Sequence, residues 1–128
     1  MKKILRSFLA VALLLGIVST TALAVEPRWS NVASISPSIS AYDGSYTSDI
    51  IGIDGTTKIV CTLTLYEKGL FGNYKQVAQT TETYNGPRHE FVGYYAIKSG
   101  TAYKLNTTAK VTRNGVTETV STDFEKRC

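Results

Sequence analysis

Ile59-Val60-Cys61-Thr62-Leu63-Thr64-Leu65-Tyr66 is the stretch that decides the fold of this chain. Read as an extended strand, it puts Ile59, Cys61, Leu63 and Leu65 on one side and Val60, Thr62, Thr64 and Tyr66 on the other. The first set is apolar throughout, so it faces a core. A helical reading would scatter the same residues around a cylinder and leave no continuous apolar face.

Working outward, the pattern repeats. Tyr103, Leu105, Thr107, Ala109 and Val111 alternate with Lys104, Asn106, Thr108 and Lys110 in a sixth strand, about Ala102 to Thr112. Asn114-Gly115 then closes a hairpin, because both central positions of a type I′ turn need positive φ. The last strand runs from about Val116 to Phe124. On the other side, a first strand from about Val32 to Ala41 sets Ala33, Ile35, Pro37, Ile39 and Ala41 inward against Ser34, Ser36, Ser38 and Ser40. Pro37 has no N–H to give a ladder, so this strand is an edge or is bulged there. Asp43-Gly44 and Asp54-Gly55 bound a second strand, Ser45 to Ile53. Glu67 to Asn73 forms a loop around Leu70-Phe71, and a polar, peripheral fourth strand spans Tyr74 to Thr83. In the fifth, Glu90 to Ile97, both sides are apolar: Phe91, Tyr95 and Ile97 on one, Val92, Tyr94 and Ala96 on the other. Alternation there does not choose a face. Nothing after Ala24 holds a helical period for even three turns.

Short strands separated by Gly, Asn and Asp predict an all-β fold, a single antiparallel β-sandwich of about seven strands, immunoglobulin or fibronectin type III-like. A closed barrel is the alternative. Gly100-Thr101-Ala102-Tyr103-Lys104-Leu105 resembles the start of the sixth strand in such sandwiches, where a tyrosine hydroxyl bonds back to nearby backbone.

Ahead of the strands lies an address. Lys2, Lys3 and Arg6 form a positive segment, Phe8 to Val18 an apolar run, and Ala22-Leu23-Ala24 a small-residue cleavage site. This is the layout of a secretory signal peptide spanning 1–24, which leaves a domain at 25–128. The chain has 14 Lys and Arg against 10 Asp and Glu, but three of those cations sit in the address. The remainder carries a net charge of +1, so the bulk count offers no case for nucleic acid or an anionic membrane as partner. Val25 to Ser30 reads as a loose leader.

Two cysteines, Cys61 and Cys128, can make one disulfide in an exported chain. A bridge would close about 67 residues and add roughly 4 kcal/mol. The other reading is a buried thiol on the apolar face of its strand and a frayed terminal one.

Catalytic chemistry finds little support. His89 is the one histidine, beside Glu90 after the Asn85-Gly86-Pro87 turn, and reads as an exposed loop residue with no strained nucleophile turn near it. A small hydrolase built on it is the weakest alternative. Asp43, Asp49 and Asp54 do not match a calcium loop; Asp43 and Asp54 belong to turns, roughly 30 Å apart along a straight strand. No metal or cofactor is expected. The aromatic content points elsewhere: Trp29 and eight tyrosines, with Tyr66 outward and Tyr42, Tyr74 and Tyr84 near strand ends. The expected function is non-enzymatic binding of a protein or a surface polysaccharide, with Leu70 and Phe71 as first contacts, then Tyr66 and Trp29. A carbohydrate-binding module using Trp29 and the tyrosines as platforms is the alternative.

Several short elements together resemble a group of small secreted proteins of Gram-positive bacteria that carry one β-sandwich-like domain behind a signal peptide. They are Pro27-Arg28-Trp29, the Ser/Ile alternation around Ile35 and Ile39, Thr62-Leu63-Thr64-Leu65, Gly100-Thr101-Ala102-Tyr103 and Asn114-Gly115-Val116-Thr117-Glu118. The resemblance implies the fold class and a secreted life, and it transfers no site residues.

Overall fold

The computed structural model describes residues 29–128; the expected signal segment, its cleavage site after Ala24 and the start of the leader lie outside the described residues. The deciding stretch lies in a long strand, β3 (Thr56–Lys68), in which Ile59, Cys61, Leu63 and Leu65 are all buried. Before it come β1 (Val32–Ser40) and β2 (Ser45–Gly52). After it come β4 (Tyr74–Tyr84), β5 (Arg88–Tyr94), β6 (Ala102–Arg113) and β7 (Val116–Arg127). Every pairing is antiparallel, in a three-stranded sheet β1-β2-β5 and a four-stranded sheet β4-β3-β6-β7. The two sheets face each other as a β-sandwich of the immunoglobulin and fibronectin type III kind.

The core is the meeting of the inner faces. Ile39, Tyr46, Ile50 and Phe91 from the smaller sheet pack against Ile59, Leu63, Leu65, Tyr103, Leu105 and Val111 from the larger. Each such side chain contributes about 1.5–3 kcal/mol by leaving water. One polar link crosses this layer: the Ser48 and Thr107 hydroxyls, both fully buried, hydrogen-bond at 2.5 Å. Each satisfies the other, which removes the penalty of burying a lone hydroxyl.

The five inward residues predicted for β6 are where alternation places them, with Tyr103, Leu105, Thr107, Ala109 and Val111 buried or nearly so. The Tyr103 hydroxyl accepts the Lys98 N–H at 2.8 Å and donates to Glu67 Oε1 at 2.9 Å. This is the backbone-bonded tyrosine that the Gly100–Leu105 stretch suggested. Asn114 and Gly115 have φ of 50° and 78°, the two positive values a type I′ turn requires. In β5, the side bearing Phe91 faces inward, and Tyr95 and Ile97 still pack on the core past the end of the strand.

Three expectations need correction. β1 is an edge strand, but its irregularity falls between Val32 and Ser34 and not at Pro37. The extra residue there flips the alternation, so Val32 is buried and Ala33 is exposed. His89 is a strand residue of β5, not a loop residue. The leader is not loose at Trp29 and Ser30: Trp29 packs against the core, and the Ser30 N–H donates to Glu118 Oε2 at 2.9 Å.

Candidate functional site

The strand order sets two ends, or poles, on the sandwich. One carries the β6–β7 hairpin and the N-terminal segment. The other carries the β3–β4 hairpin, the β1–β2 turn, the loop between β5 and β6, and the end of β7. Lys126 Nζ donates to the Ile39 carbonyl at 2.7 Å and Tyr95 N to the Gly44 carbonyl at 2.8 Å, which joins these segments into one surface, the hairpin pole.

The tip of the β3–β4 hairpin is Gly69 to Asn73, closed by Gly69 N to Asn73 O at 2.8 Å and Gly72 N to Gly69 O at 3.0 Å. With the backbone bonded to itself, Leu70 and Phe71 project into water, 100% and 95% exposed. Tyr42 (100%) and Tyr94 (73%) stand out at the same pole, so four of the six exposed large apolar side chains among the described residues gather there. Single exposed apolar residues are ordinary, but Leu70 and Phe71 are adjacent and make the tip a small apolar patch. Beside the tip runs an open groove of about 510 Å³ lined by Glu67, Lys68, Leu70, Lys98, Thr101 and Arg127, among others.

Below the tip lies a belt of rings and cations. A β-bulge at Leu65/Tyr66 shifts β4 by one residue, so Ala78 lies opposite Leu65 and Gln76 opposite Tyr66. Without that slip Lys75 would lie opposite Lys68; with it, Tyr74 does, on the same outer face as Tyr66. Lys104, paired with Tyr66 from β6, holds its ammonium 5.0 Å from the Tyr66 ring and 4.8 Å from the Tyr74 ring. This is a cation–π arrangement shared by two aromatics. Burial pushes the Tyr74 phenol up, and the neighbouring Glu125 carboxylate adds to it, so Tyr74 stays neutral and acts as a hydroxyl.

Charge is distributed unevenly. From the Tyr66–Lys104–Glu125 row outward, the hairpin pole holds Lys68, Lys75, Lys98, Lys104, Lys126 and Arg127 against the carboxylates Asp43, Glu67 and Glu125. Elsewhere among the described residues, Lys58, Arg88, Lys110 and Arg113 face six carboxylates. Glu67 is committed to the Tyr103 hydroxyl, with Lys98 Nζ at 3.7 Å. Among the described residues, only Lys98 of the six pole cations has a carboxylate within ion-pair distance. The Arg88–Asp49 ion pair at 2.7 Å and the His89–Glu82 contact at 3.2 Å lie away from this pole.

The structure does not gather all the predicted contacts. Leu70, Phe71 and Tyr66 share the hairpin pole. Trp29 is at the opposite end, about 40 Å away along the 12 residues of β6, half-buried against the core. It does not project as a platform. There Asn31 and Glu118 act as a clamp: Asn31 Nδ2 donates to the Val111 and Val116 carbonyls at 2.8 and 3.0 Å, and Glu118 accepts the Ser30 and Asn31 N–H groups. Those two N–H groups hold the Glu118 carboxyl below the usual carboxylate value.

Cys61 and Cys128 are both free. Cys61 lies opposite Ala109, whereas Cys128 N bonds to Thr101 O, eight residues away along β6 or about 26 Å. A disulfide needs Cα atoms within about 7 Å, so this fold keeps the two apart. Burial, and then the Glu82 charge, push the Cys61 thiol up to about 12, which leaves it protonated and unreactive.

His89 stacks on Tyr84 at 4.2 Å between ring centroids, meets the edge of Phe91 at 4.7 Å and hydrogen-bonds Glu82. Glu90, its sequence neighbour, points to the other side of the strand, opposite Asp49. Glu82 and His89 make an acid–base pair, and no hydroxyl or thiol among the described residues hydrogen-bonds to the ring. Asp43 instead holds the β1–β2 turn, accepting the Ser45 hydroxyl at 2.6 Å and its N–H at 3.1 Å.

No family model matches the chain, and no curated protein matches it. Among solved structures it is similar to part of β-glucuronidase 2 of Bacteroides uniformis, at 14% identity and a TM-score of 0.36 over 76% of this chain and 13% of that one. A calcium-binding mutant of that enzyme gives 15% and 0.35. The β-glucuronidase of Parabacteroides merdae gives 12% and 0.36. The chain spans no more than 13% of these enzymes, and their activity is not carried over to it.

Proposed function

We propose that this is an exported, non-catalytic β-sandwich that works by binding, and that the hairpin pole is its contact surface. The observation that carries the reading is the complete exposure of Leu70 and Phe71 at a tip whose backbone is already hydrogen-bonded to itself. Together these side chains hold about 3–6 kcal/mol of burial free energy that folding does not use. A binding partner that covers them gains it. The open groove and the largely unpaired cations beside the tip add polar contacts. Export rests on the 1–24 signal layout and on the resemblance to secreted Gram-positive sandwiches.

The sugar-platform alternative loses its best ring, because Trp29 packs on the core at the far pole, and Tyr66 and Tyr74 are already capped by Lys104. The test begins with the full chain made in an exporting Gram-positive host. The medium should contain a form beginning at Val25. That form is then passed over washed cell wall, vesicles extracted from the same cells, a polysaccharide panel and supernatant proteins. Saturable retention by one of these, lost in the Leu70→Ser/Phe71→Ser variant, supports the reading. Retention that the double variant keeps, or a catalytic turnover that His89→Ala removes, sinks it.

A further inference from the structure

We propose that the hairpin pole docks on an anionic lipid bilayer, with Leu70 and Phe71 entering the boundary between headgroups and acyl chains. This rests on the reading of that pole as the contact surface and names its partner. The net charge of +1 argued against a membrane only because the linear count adds two ends that the fold separates.

Three layers follow one another down the β3–β4 hairpin, and they match the depth profile of a bilayer interface. Outermost are Leu70 and Phe71, fully exposed and with no charge between them. Next come Tyr74 and Tyr66 with Lys104 over their rings, and Lys68 with its ammonium 5.8 Å from Tyr74. Phe71 stands at the turn itself, and Tyr74, the first residue of β4, lies behind it at the base of the tip opposite Lys68. Interfacial elements bury their apolar part by about 5–10 Å, so an inserted tip leaves the tyrosines and lysines behind it at the level of the headgroups. Tyrosine suits that level because its ring is apolar and its tip is polar. Further down, the outer face turns to hydroxyls and amides that satisfy one another, as Thr62 does with Thr81 and Thr64 with Gln79. That face has nothing to offer a hydrocarbon layer and stays in water.

Charge complementarity selects the kind of bilayer. Lys68, Lys75, Lys98, Lys104, Lys126 and Arg127 converge on this pole, and five of the six have no carboxylate within ion-pair distance among the described residues. An anionic leaflet attracts each such cation at its surface. A purely apolar partner would leave them uncompensated, and a soluble polyanion would leave Leu70 and Phe71 in water. A lipid interface takes both.

The test is flotation of the exported chain with phosphatidylcholine vesicles, with and without phosphatidylglycerol. The expected result is flotation only with phosphatidylglycerol, weakening as salt rises. Leu70→Ser/Phe71→Ser should weaken it about 100-fold. Lys68→Gln/Lys75→Gln, at two exposed residues outside the ion pairs, should weaken it about 30-fold. Phe71→Trp should add an emission component that shifts to the blue on vesicle binding, whereas Trp29 in the native chain, at the far pole, should not respond. Unfolding curves of all variants serve as the folding control. No flotation with phosphatidylglycerol, or flotation indifferent to the tip substitutions, overturns the lipid assignment. If the chain fails to float but a soluble partner is retained through Leu70 and Phe71, the lipid assignment falls and the binding reading stands. If neither occurs, both fall.

Discussion

At one pole of the sandwich, Asn31 and Glu118 satisfy four backbone groups of the N-terminal segment and the β6–β7 region, and Trp29 lies against the core. At the other, the β3–β4 tip bonds only to itself, Leu70 and Phe71 face water, and basic side chains outnumber acidic ones six to three. Both poles are short loops between strands of the same two sheets. What separates them is that side chains tie the N-terminal segment down at the clamp, whereas the β3–β4 tip closes only on its own backbone. The clamp is therefore part of the stability of the molecule, and the tip of the hairpin pole is free for something else.

The comparison breaks first at the clamp. Asn31→Ala should cost about 2 kcal/mol in urea unfolding, because it removes two hydrogen bonds, one of them buried, from the Val111 and Val116 carbonyls. A cost under 1 kcal/mol would mean the far pole is as loose as the tip. Midway between the poles, Thr107→Val should cost about 2 kcal/mol by leaving the Ser48 hydroxyl buried and unpaired. Equal stability would show that Ser48 finds another partner.

Glu118→Gln should cost about 1 kcal/mol at neutral pH, as a neutral amide accepts the Ser30 and Asn31 N–H groups less strongly. The sign with pH follows from a folded-state pKa below the usual 4.5. Glu118 contributes its full stabilisation above that usual value and loses it as pH falls through the lower folded one. The gap between native and variant should therefore close in acid; a gap that widens there would reverse the assignment. The smallest effect belongs to the tip: Leu70→Ser/Phe71→Ser should move stability by less than about 0.5 kcal/mol. A larger loss would mean the tip folds back over the core in solution.

How far the molecule was legible in the sequence varied along the chain for physical reasons. β3 and β6 sit centrally in the larger sheet, with a strict inner face. Ile59 to Leu65 and Tyr103 to Val111 therefore carry an unbroken period of two, and Asn114-Gly115 marks its turn through φ alone. Edges and bulges obey partners that a linear reading does not contain. The slip at Val32/Ser34 exchanged Val32 for Ala33, and the one at Leu65/Tyr66 brought Tyr74 to the outer face beside Tyr66. The Asn85-Gly86-Pro87 turn just before His89 suggests a loop from the sequence; the ladder pair Ile50–His89 and the stack on Tyr84 make it strand.

At the candidate site, the exposed pair Leu70-Phe71 was visible, since two large apolar residues between glycines have nowhere to alternate to. Trp29 was not, because its contact with the core depends on the Asn31 clamp closing the segment down. Ser48 gave no signal, as a serine among polar strand residues looks solvated until Thr107 is placed opposite it across the core. The charged pole was hidden by the sum: after residue 24, eleven cations and ten carboxylates nearly cancel, and only the strand order sends six cations to one end.

The most direct measurement is amide hydrogen exchange on the protein made in an exporting host, alone and bound to phosphatidylglycerol-containing vesicles. The account predicts new protection confined to residues 68–74 and 98–101, with no change at 30–31 or 114–118. Protection at the clamped pole, or across β1 and β5 on the smaller sheet, would contradict it, as would an exchange pattern that the vesicles leave untouched.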